Sequence, residues 1–259
     1  MILFVSDLHL SAQTPELNAL FLEFLGGRAR AAEALYILGD LFEYWVGDDD
    51  IDSPDHATII AALRELSASG VAVNVMRGNR DFLLGEGFAT ATGARLLPDP
   101  YVLSTPEWQF VLSHGDALCT DDAEYQAFRA QSRSVEWQGA FLAKPLTERH
   151  AIAQALRERS EAGKQGKDSY LMDLNPGATD DFLREHGYAT FIHGHTHKPA
   201  THDHIVDGIH VERWVLADWH DGKGETLCWN GQHLSRIPLS AGCQEPSDTT
   251  HAFNSIGRA

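Results

Sequence analysis

Residues 2–9, with the sequence ILFVSDLH, join a short apolar run directly to an aspartate and a histidine. Residues 34–38 and 71–76 are further apolar runs, followed closely by Gly39-Asp40 and Gly78-Asn79 respectively. Two intervening segments have the apolar spacing of helices: residues 16–28 and 55–69. This alternation predicts an α/β protein, in which side chains at the carboxyl ends of the strands lie together.

A long helical segment interrupts this alternation. Residues 122–160 have helical spacing, whereas residues 108–112 before them and 190–192 after them have the character of strands. We therefore expect a core of residues 1–120 and 170–240, an inserted helical cap at 121–169 and a flexible tail at 241–259. We predict three more strands, at residues 209–216, 226–229 and 233–238. We expect them to form a second sheet or layer.

Composition narrows the class of protein. The chain has 259 residues, is 43% hydrophobic and carries 20 basic against 37 acidic residues, for a net charge of −17. It can therefore bury a large core, and its charge disfavours a nucleic-acid partner. No apolar run is long enough for a membrane span, and the three cysteines have neither zinc-site nor disulfide spacing. We expect a cytoplasmic, monomeric protein.

Charge is distributed unevenly along the chain. Residues 144–167 contain six basic and three acidic residues, within a chain that is otherwise strongly acidic. If an anionic ligand or a lipid surface binds anywhere, it binds to this stretch, although from charge alone a solvated helix face is the simpler explanation. The acidic run at residues 48–50 is interpreted as a solvated loop rather than as a third metal site.

Five clusters of polar residues follow the predicted strands. They share one arrangement, an apolar or small run that ends in Asp, Asn or His, and they contain Asp7, His9, Asp40, Asn79, His114, His193, His195 and His197. Singly, each cluster is explained as well by a helix cap, a turn or a buried histidine. Together they predict a metal site of oxygen and nitrogen ligands, suited to Mn, Mg, Fe or Zn. The ligands are too many for one ion and suit two ions clamping a phosphoryl group.

In their order and spacing, these motifs resemble the calcineurin-like metallophosphoesterase superfamily, whose fold is a sandwich of two β-sheets flanked by helices. The resemblance implies that Asp40 bridges two metal ions. It further implies two ligand sets: Asp7, His9 and His197 for the first ion, and Asn79, His114 and His195 for the second. His193 is not a ligand in that pattern, and we expect it to have a structural role.

Longer strings, such as residues 36–43 and 78–85, resemble manganese-dependent pyrophosphohydrolases of lipid A biosynthesis. Many superfamily members carry His where this chain has Arg80. An arginine at this position suits a leaving group that is itself a phosphate. The resemblance implies catalytic roles for Asp40, Asn79, Arg80 and His195. It implies that substrate binds to Asn79, Arg80, Asp122, Ser160, Lys164, Lys167 and His195. Tyr125, Phe128, Phe141 and Leu142 would line an acyl chamber or form the core of the cap.

The activity implied by this resemblance is hydrolysis of UDP-2,3-diacylglucosamine. Water attacks the α-phosphorus with the aid of two Mn²⁺ ions, giving UMP and 2,3-diacylglucosamine 1-phosphate. Peripheral contact with the cytoplasmic face of the inner membrane would follow from apolar and basic residues of the cap. Two alternatives remain at this point: another calcineurin-like phosphoesterase acting on a nucleotide or phosphoprotein, and a scaffold without catalysis.

Overall fold

The strands of the protein form two sheets. A computed structural model describes residues 1–164 and 173–240. In this range the strands are β1 (Ile2–Val5), β2 (Ala34–Leu38), β3 (Ala72–Met76), β4 (Arg95–Leu97), β5 (Tyr101–Ser104), β6 (Gln109–Ser113), β7 (Thr190–His193), β8 (Ala200–Val206), β9 (Ile209–Val215), β10 (Lys223–Trp229) and β11 (Leu234–Ser240). The first sheet has the order β11-β10-β1-β2-β3-β4 and the second the order β5-β6-β7-β9-β8.

Helices cover the outer faces of both sheets and form the insertion. They are α1 (Pro15–Gly26), α2 (Ala57–Ala68), α3 (Glu86–Thr92), α4 (Ala123–Ser132), α5 (Val135–Leu142), α6 (Leu146–Lys164) and α7 (Pro176–Glu185). The insertion consists of α4, α5 and α6, between β6 and β7. Asp122 and Ser134 begin α4 and α5, each accepting a hydrogen bond from a backbone N–H three residues later. Lys167 and residues 241–259 lie outside the described residues.

Alternate residues of each strand face different layers, as pleated strands require. On β1, Leu3 and Val5 contribute to the core beneath α1, α2 and α3, whereas Phe4 contributes to the core between the sheets. The inter-sheet core includes Phe110 of β6 and Ile192 of β7. The predicted fold class, two sheets flanked by helices, is confirmed.

The predicted placement of the last strands is partly wrong. Of the three C-terminal segments, only β9 joins the second sheet, where it is parallel to β7. Strand β10 instead pairs antiparallel with β1, opposite Leu3 at Cys228, and β11 pairs with β10. The physical reason is that β1 needs a partner on its outer edge, and β10 buries Leu227 and Trp229 between the sheets when it occupies that edge.

The interpretation of residues 48–50 as a solvated loop is also wrong. Asp48 accepts hydrogen bonds from the backbone N–H groups at the start of α3, namely those of Gly85, Gly87 and Phe88. Asp50 is only 8% exposed. Because free N–H groups at a helix start attract carboxylates, this acidic turn holds α3 against the loop that follows β2.

The basic stretch of the insertion is not a uniform surface. Arg149 is 2% exposed and donates hydrogen bonds to the backbone oxygens of Val46 and Lys144. Its guanidinium also pairs with both carboxylate oxygens of Asp49. Arg149 therefore anchors α6 to the core and does not present its charge to a ligand or a lipid surface. Within the described residues, no helix is both long and apolar enough to cross a membrane.

Candidate metal centre and substrate pocket

All seven predicted ligands follow strands whose carboxyl ends meet at one edge of the sandwich. Strands β1, β2 and β3 are parallel in the first sheet, and β6 and β7 are parallel in the second. The loops that follow them carry Asp7 and His9, Asp40, Asn79, His114, and His195 and His197, in that order. The fold thus brings together residues that are up to 190 positions apart in sequence.

Asp7, His9 and His197 form the first group of ligand-type atoms. The Nε2 atoms of His9 and His197 are 3.3 Å apart, and Oδ1 of Asp7 lies 3.4 Å from Nε2 of His197. The two imidazole nitrogens and the carboxylate oxygen carry at most one or two protons between them. Their lone pairs therefore converge at this point. Such a group is suited to a divalent cation.

The second group surrounds the amide of Asn79. Its Oδ1 lies 2.9 Å from Nε2 of His114 and 2.8 Å from Nδ1 of His195. Asp40 stands between the groups, with Oδ1 3.8 Å from Nε2 of His114 and Oδ2 4.0 Å from Nε2 of His9. Asp7, Asp40 and His114 also lie close enough together to hold one ion, so the carboxylate of Asp40 would be within reach of a cation at either group.

The backbone of the ligand loops is unusual. Five non-glycine residues of the two groups have a left-handed conformation, with φ between 50° and 70°: Asp7, His9, Asp40, His195 and His197. Each such residue costs about 1–3 kcal/mol and persists only where the surrounding structure fixes it, and such strain concentrates at functional sites. Gly39, with φ of 93°, has no room for a side chain, since a Cβ would lie 2.6 Å from Nδ1 of His114.

A cavity of about 1030 Å³ opens directly above the two ligand groups. Its floor includes His9, Asp40 and His197, and its walls come from α4, α5 and α6. Among the predicted substrate contacts, those lining the cavity are Asn79, Arg80, Asp122, Ser160 and His195. Lys164 ends α6, and Lys167 lies outside the described residues.

Aromatic residues of the insertion give the cavity an apolar wall. Tyr125, Phe128 and Phe141 line it. Leu142 does not: it is 42% exposed on the surface of α5, because Phe141 takes the inward position and stacks on Trp137. An apolar chamber above a polar, ligand-rich floor can hold a molecule with a charged head and a hydrophobic tail.

Comparison with known proteins agrees with this geometry. The family model described as calcineurin-like phosphoesterase matches residues 1–199. The chain belongs to the calcineurin-like phosphoesterase family. It is 53% identical to a UDP-2,3-diacylglucosamine hydrolase of Aromatoleum aromaticum, over 88% of this chain and 93% of that one. Hydrolases of the same name from Chromobacterium violaceum and Chromohalobacter salexigens are 52% and 46% identical, over 91% and 86% of this chain and 98% and 90% of theirs.

The electrostatics of the site fit the cations expected of a calcineurin-like phosphoesterase. Burial raises the pKa of Asp40 to about 7, against the opposing charge of His114. Burial alone would lower the pKa of His114, but Asp40, Asp7 and Asp116 raise it to about 9. Burial and the charge of His114 lower the pKa of His195 to about 4, which keeps this ring neutral. His195 is thus a neutral donor, whereas His114 must release its proton when a cation binds.

Sequence analysis missed two carboxylates that support the ligands. Asp81 is fully buried and accepts N–H hydrogen bonds from Gly78, Asp40 and Leu41, which fixes the loops after β2 and β3 against each other. Asp218, after β9, lies 3.5 Å from Nδ1 of His197. Asp81 was visible as the end of the string Gly78-Asn79-Arg80-Asp81, whereas nothing near Asp218 in sequence indicates its place.

Another buried carboxylate, Asp116, joins the insertion to the core. Oδ2 of Asp116 accepts hydrogen bonds from Tyr125 Oη at 2.5 Å, Arg129 Nε at 2.8 Å and Arg133 at 3.2 Å. Arg133 also donates to the backbone oxygen of Gly78, next to Asn79. The first helix of the insertion is thus held against the loops that carry the ligands.

His193, the remaining histidine of the cluster, points away from both ligand groups. Its Nε2 accepts a hydrogen bond from Arg213 at 3.0 Å, and its Nδ1 lies 2.8 Å from the backbone oxygen of Gly194. Burial and the charge of Arg213 lower its pKa to about 3, so the ring is neutral. These contacts agree with the structural role expected of it.

Proposed function

We propose that the protein hydrolyses the diphosphate of UDP-2,3-diacylglucosamine, by attack of water on the α-phosphorus. The products are UMP and 2,3-diacylglucosamine 1-phosphate, as in lipid A biosynthesis. The proposal rests above all on one observation: the ligand cluster forms the floor of an apolar cavity of about 1030 Å³, so phosphoester chemistry adjoins space for acyl chains. Relatives named for this substrate, at up to 53% identity, support it.

We infer that two divalent ions, Mn²⁺ by proposal, bind at the floor. Asp7, His9 and His197 would hold one ion, Asn79, His114 and His195 the other, and Asp40 both. When bound, such a pair polarises phosphoryl oxygens and acidifies the attacking water. The same oxygen and nitrogen donors also accept Mg²⁺, Fe²⁺ or Zn²⁺.

The other residues of the floor would position and stabilise the diphosphate. Arg80 lines the cavity next to Asn79 and carries a planar fork of donors that matches phosphate oxygens. We propose that it stabilises the charge that develops during attack. Since the leaving group is a phosphate, no proton donor is required of it. Asn79 and His195, which also line the cavity, would contact the phosphoryl group, and Asp40 completes the proposed catalytic set.

We further propose that the insertion, residues 121–169, binds the sugar and acyl chains. Asp122 and Ser160 face the cavity, and Lys164 and Lys167 would add charge that offsets the phosphates. Tyr125, Phe128 and Phe141 supply apolar surface for the chains.

A peripheral attachment to the cytoplasmic face of the inner membrane would suit a lipid substrate. Val135 and Leu142, at the two ends of α5, are 83% and 42% exposed. Apolar side chains on an exposed helix can enter the lipid interface without a spanning segment. We propose a monomer, since one chain supplies all seven ligand-type residues. In vesicle sedimentation, Val135→Asp should lower membrane binding, and unchanged binding would argue against α5 as the contact.

The proposed function is tested with the purified protein and UDP-2,3-diacylglucosamine in ¹⁸O water, with Mn²⁺ or with EDTA. Mass spectrometry should detect UMP and 2,3-diacylglucosamine 1-phosphate only with the metal, and the ¹⁸O label should appear in UMP. Label in the lipid product would refute attack at the α-phosphorus. Failure with this substrate, together with hydrolysis of bis(p-nitrophenyl) phosphate, would instead favour another calcineurin-like phosphoesterase activity.

A further inference from the structure

Glu43 occupies a junction between the metal floor and the insertion. Its side chain is 12% exposed and lies three residues after Asp40. Its backbone N–H donates to the oxygen of Leu10, which keeps it beside the loop that carries His9. The carboxylate contacts side chains from three separate segments: His9, Arg80 and Arg157. The motif at residues 36–43 ends at Glu43 but assigns it no role.

One oxygen of this carboxylate faces the ring of His9. Oε2 of Glu43 lies 3.4 Å from Nδ1 of His9, while Nε2 of the same ring faces His197 and Asp40. At 3.4 Å this contact is electrostatic rather than a hydrogen bond, and the negative charge beside Nδ1 favours the tautomer with its proton on that nitrogen. The lone pair is then on Nε2, the atom directed toward the ligand group.

The other oxygen holds two guanidinium groups. Oε1 of Glu43 is 2.8 Å from Nε of Arg157 and 3.6 Å from Arg80. Arg157 belongs to α6 of the insertion, Arg80 belongs to the loop after β3, and both line the cavity. Two like charges would repel each other without a shared counter-ion. Glu43 therefore fixes the distance between an arginine of the core and one of the insertion.

We propose that Glu43 is a positioning residue with two effects: it sets the tautomer and orientation of His9 toward the metal, and it aligns Arg80 with Arg157 toward the anionic part of the substrate. The proposal rests on the metal-dependent function proposed above. It does not require Glu43 to touch the substrate.

The test compares Glu43→Gln with Glu148→Gln, which removes the same charge from a surface pair with Lys144 on the insertion. Titration calorimetry with Mn²⁺ alone measures metal affinity without any substrate. We expect a loss of about 10–100-fold for Glu43→Gln and none for Glu148→Gln, the range typical for partners of metal ligands. Equal affinities in the two variants would overturn the effect on His9.

The alignment of the arginines is tested by steady-state kinetics with saturating Mn²⁺. Glu43→Gln should raise KM for UDP-2,3-diacylglucosamine, and this increase should disappear when Arg157→Gln is already present, because the partner is then gone. Additive effects would overturn the alignment. Glu43→Asp, which keeps the charge but shortens the side chain, should not restore KM; full restoration would show that charge alone suffices.

The calorimetric test does not depend on whether the protein cleaves the proposed substrate. If the wild-type protein binds Mn²⁺ but does not cleave this substrate, hydrolysis of bis(p-nitrophenyl) phosphate replaces it as the kinetic assay. Thermal unfolding of each metal-free variant serves as the control for folding. A melting temperature of Glu43→Gln well below that of Glu148→Gln, with affinity lost only in proportion to the unfolded fraction, would refute the positioning role.

Discussion

Arg149→Met should destabilise the protein without affecting its chemistry, because Arg149 anchors α6 to the core and does not line the cavity. Methionine keeps much of the apolar stem and removes only the guanidinium. Arg149 Nη1 donates to the backbone oxygen of Val46 at 2.6 Å and Nε to that of Lys144 at 3.0 Å. The variant therefore leaves a buried carbonyl without this donor.

The size of the loss in unfolding free energy follows from the exposure of each group that Arg149 contacts. Val46 is 1% exposed, so loss of its donor costs about 1–3 kcal/mol. The carbonyl of Lys144 is at a partly exposed position and contributes about 1 kcal/mol. The carboxylate of Asp49 is 58% exposed, so water replaces its partner and the pair contributes at most about 1 kcal/mol. We expect a total loss of about 2–5 kcal/mol.

Urea unfolding measures this loss. With a slope of about 1–3 kcal/mol/M, the midpoint should fall by about 1 M or more. The matched variant Asp49→Asn should lose no more than about 1 kcal/mol, since it leaves the contacts of Arg149 with Val46 and Lys144 in place. Equal losses in the two variants would refute the reasoning, because the stability would then come from the exposed ion pair.

The dependence on pH gives an independent check. Hydrogen bonds from Arg149 lower the pKa of Asp49 below its ordinary value. An aspartate with a depressed pKa stabilises the fold above its unfolded pKa, about 4, and this contribution disappears as the pH falls through the folded value. The stability difference between wild type and Arg149→Met should therefore be constant from pH 8 to pH 5 and become smaller only at lower pH.

Three further predictions concern the site. Asp40→Ala should lose both metal ions and all activity, and elemental analysis that still finds two metals per chain would contradict a bridging role. Arg80→Ala should retain metal but lower kcat by about 10²–10³-fold, as loss of a charge-stabilising donor does elsewhere; an unchanged kcat would be inconsistent with its role. Gly39→Ala should lower Mn²⁺ affinity measured by calorimetry, because the new methyl group would lie 2.6 Å from Nδ1 of His114; wild-type affinity would show that this loop adapts.

Local sequence predicts the strands that carry the ligands, because each combines an apolar run with an abrupt polar end. It does not predict the order of the sheets. Strand β10 pairs with β1 although the paired residues are more than 220 positions apart in sequence. Nothing in residues 223–229 indicates that partner. The seven ligand-type residues were found because their pattern recurs after every strand of the site, and the resemblance to a known superfamily added their expected roles.

Charged residues were harder to interpret from sequence than apolar ones. Asp48 and Arg149 both belong to charged stretches that suggest solvated surface, yet Asp48 accepts N–H hydrogen bonds from α3 and Arg149 is buried. Their partners are distant in sequence: Arg149 contacts Asp49 across 100 residues. Whether a charge is solvated or buried depends on these long-range contacts, which local patterns do not contain. The contacts of Glu43 could not be predicted from local sequence for the same reason, since its neighbours come from three segments.

The pairing of β1 with β10 has a consequence for synthesis on the ribosome. Strands β1 to β4 can associate as soon as residue 97 has left the exit tunnel, but the outer edge of β1 stays open until residues 223–229 follow. At about 5–20 residues per second, this delay lasts roughly 6–25 seconds. An exposed apolar strand edge is a template for pairing with another chain. Nascent chains of this protein should therefore need protection by chaperones during that interval, and slower elongation downstream of residue 97 should increase aggregation.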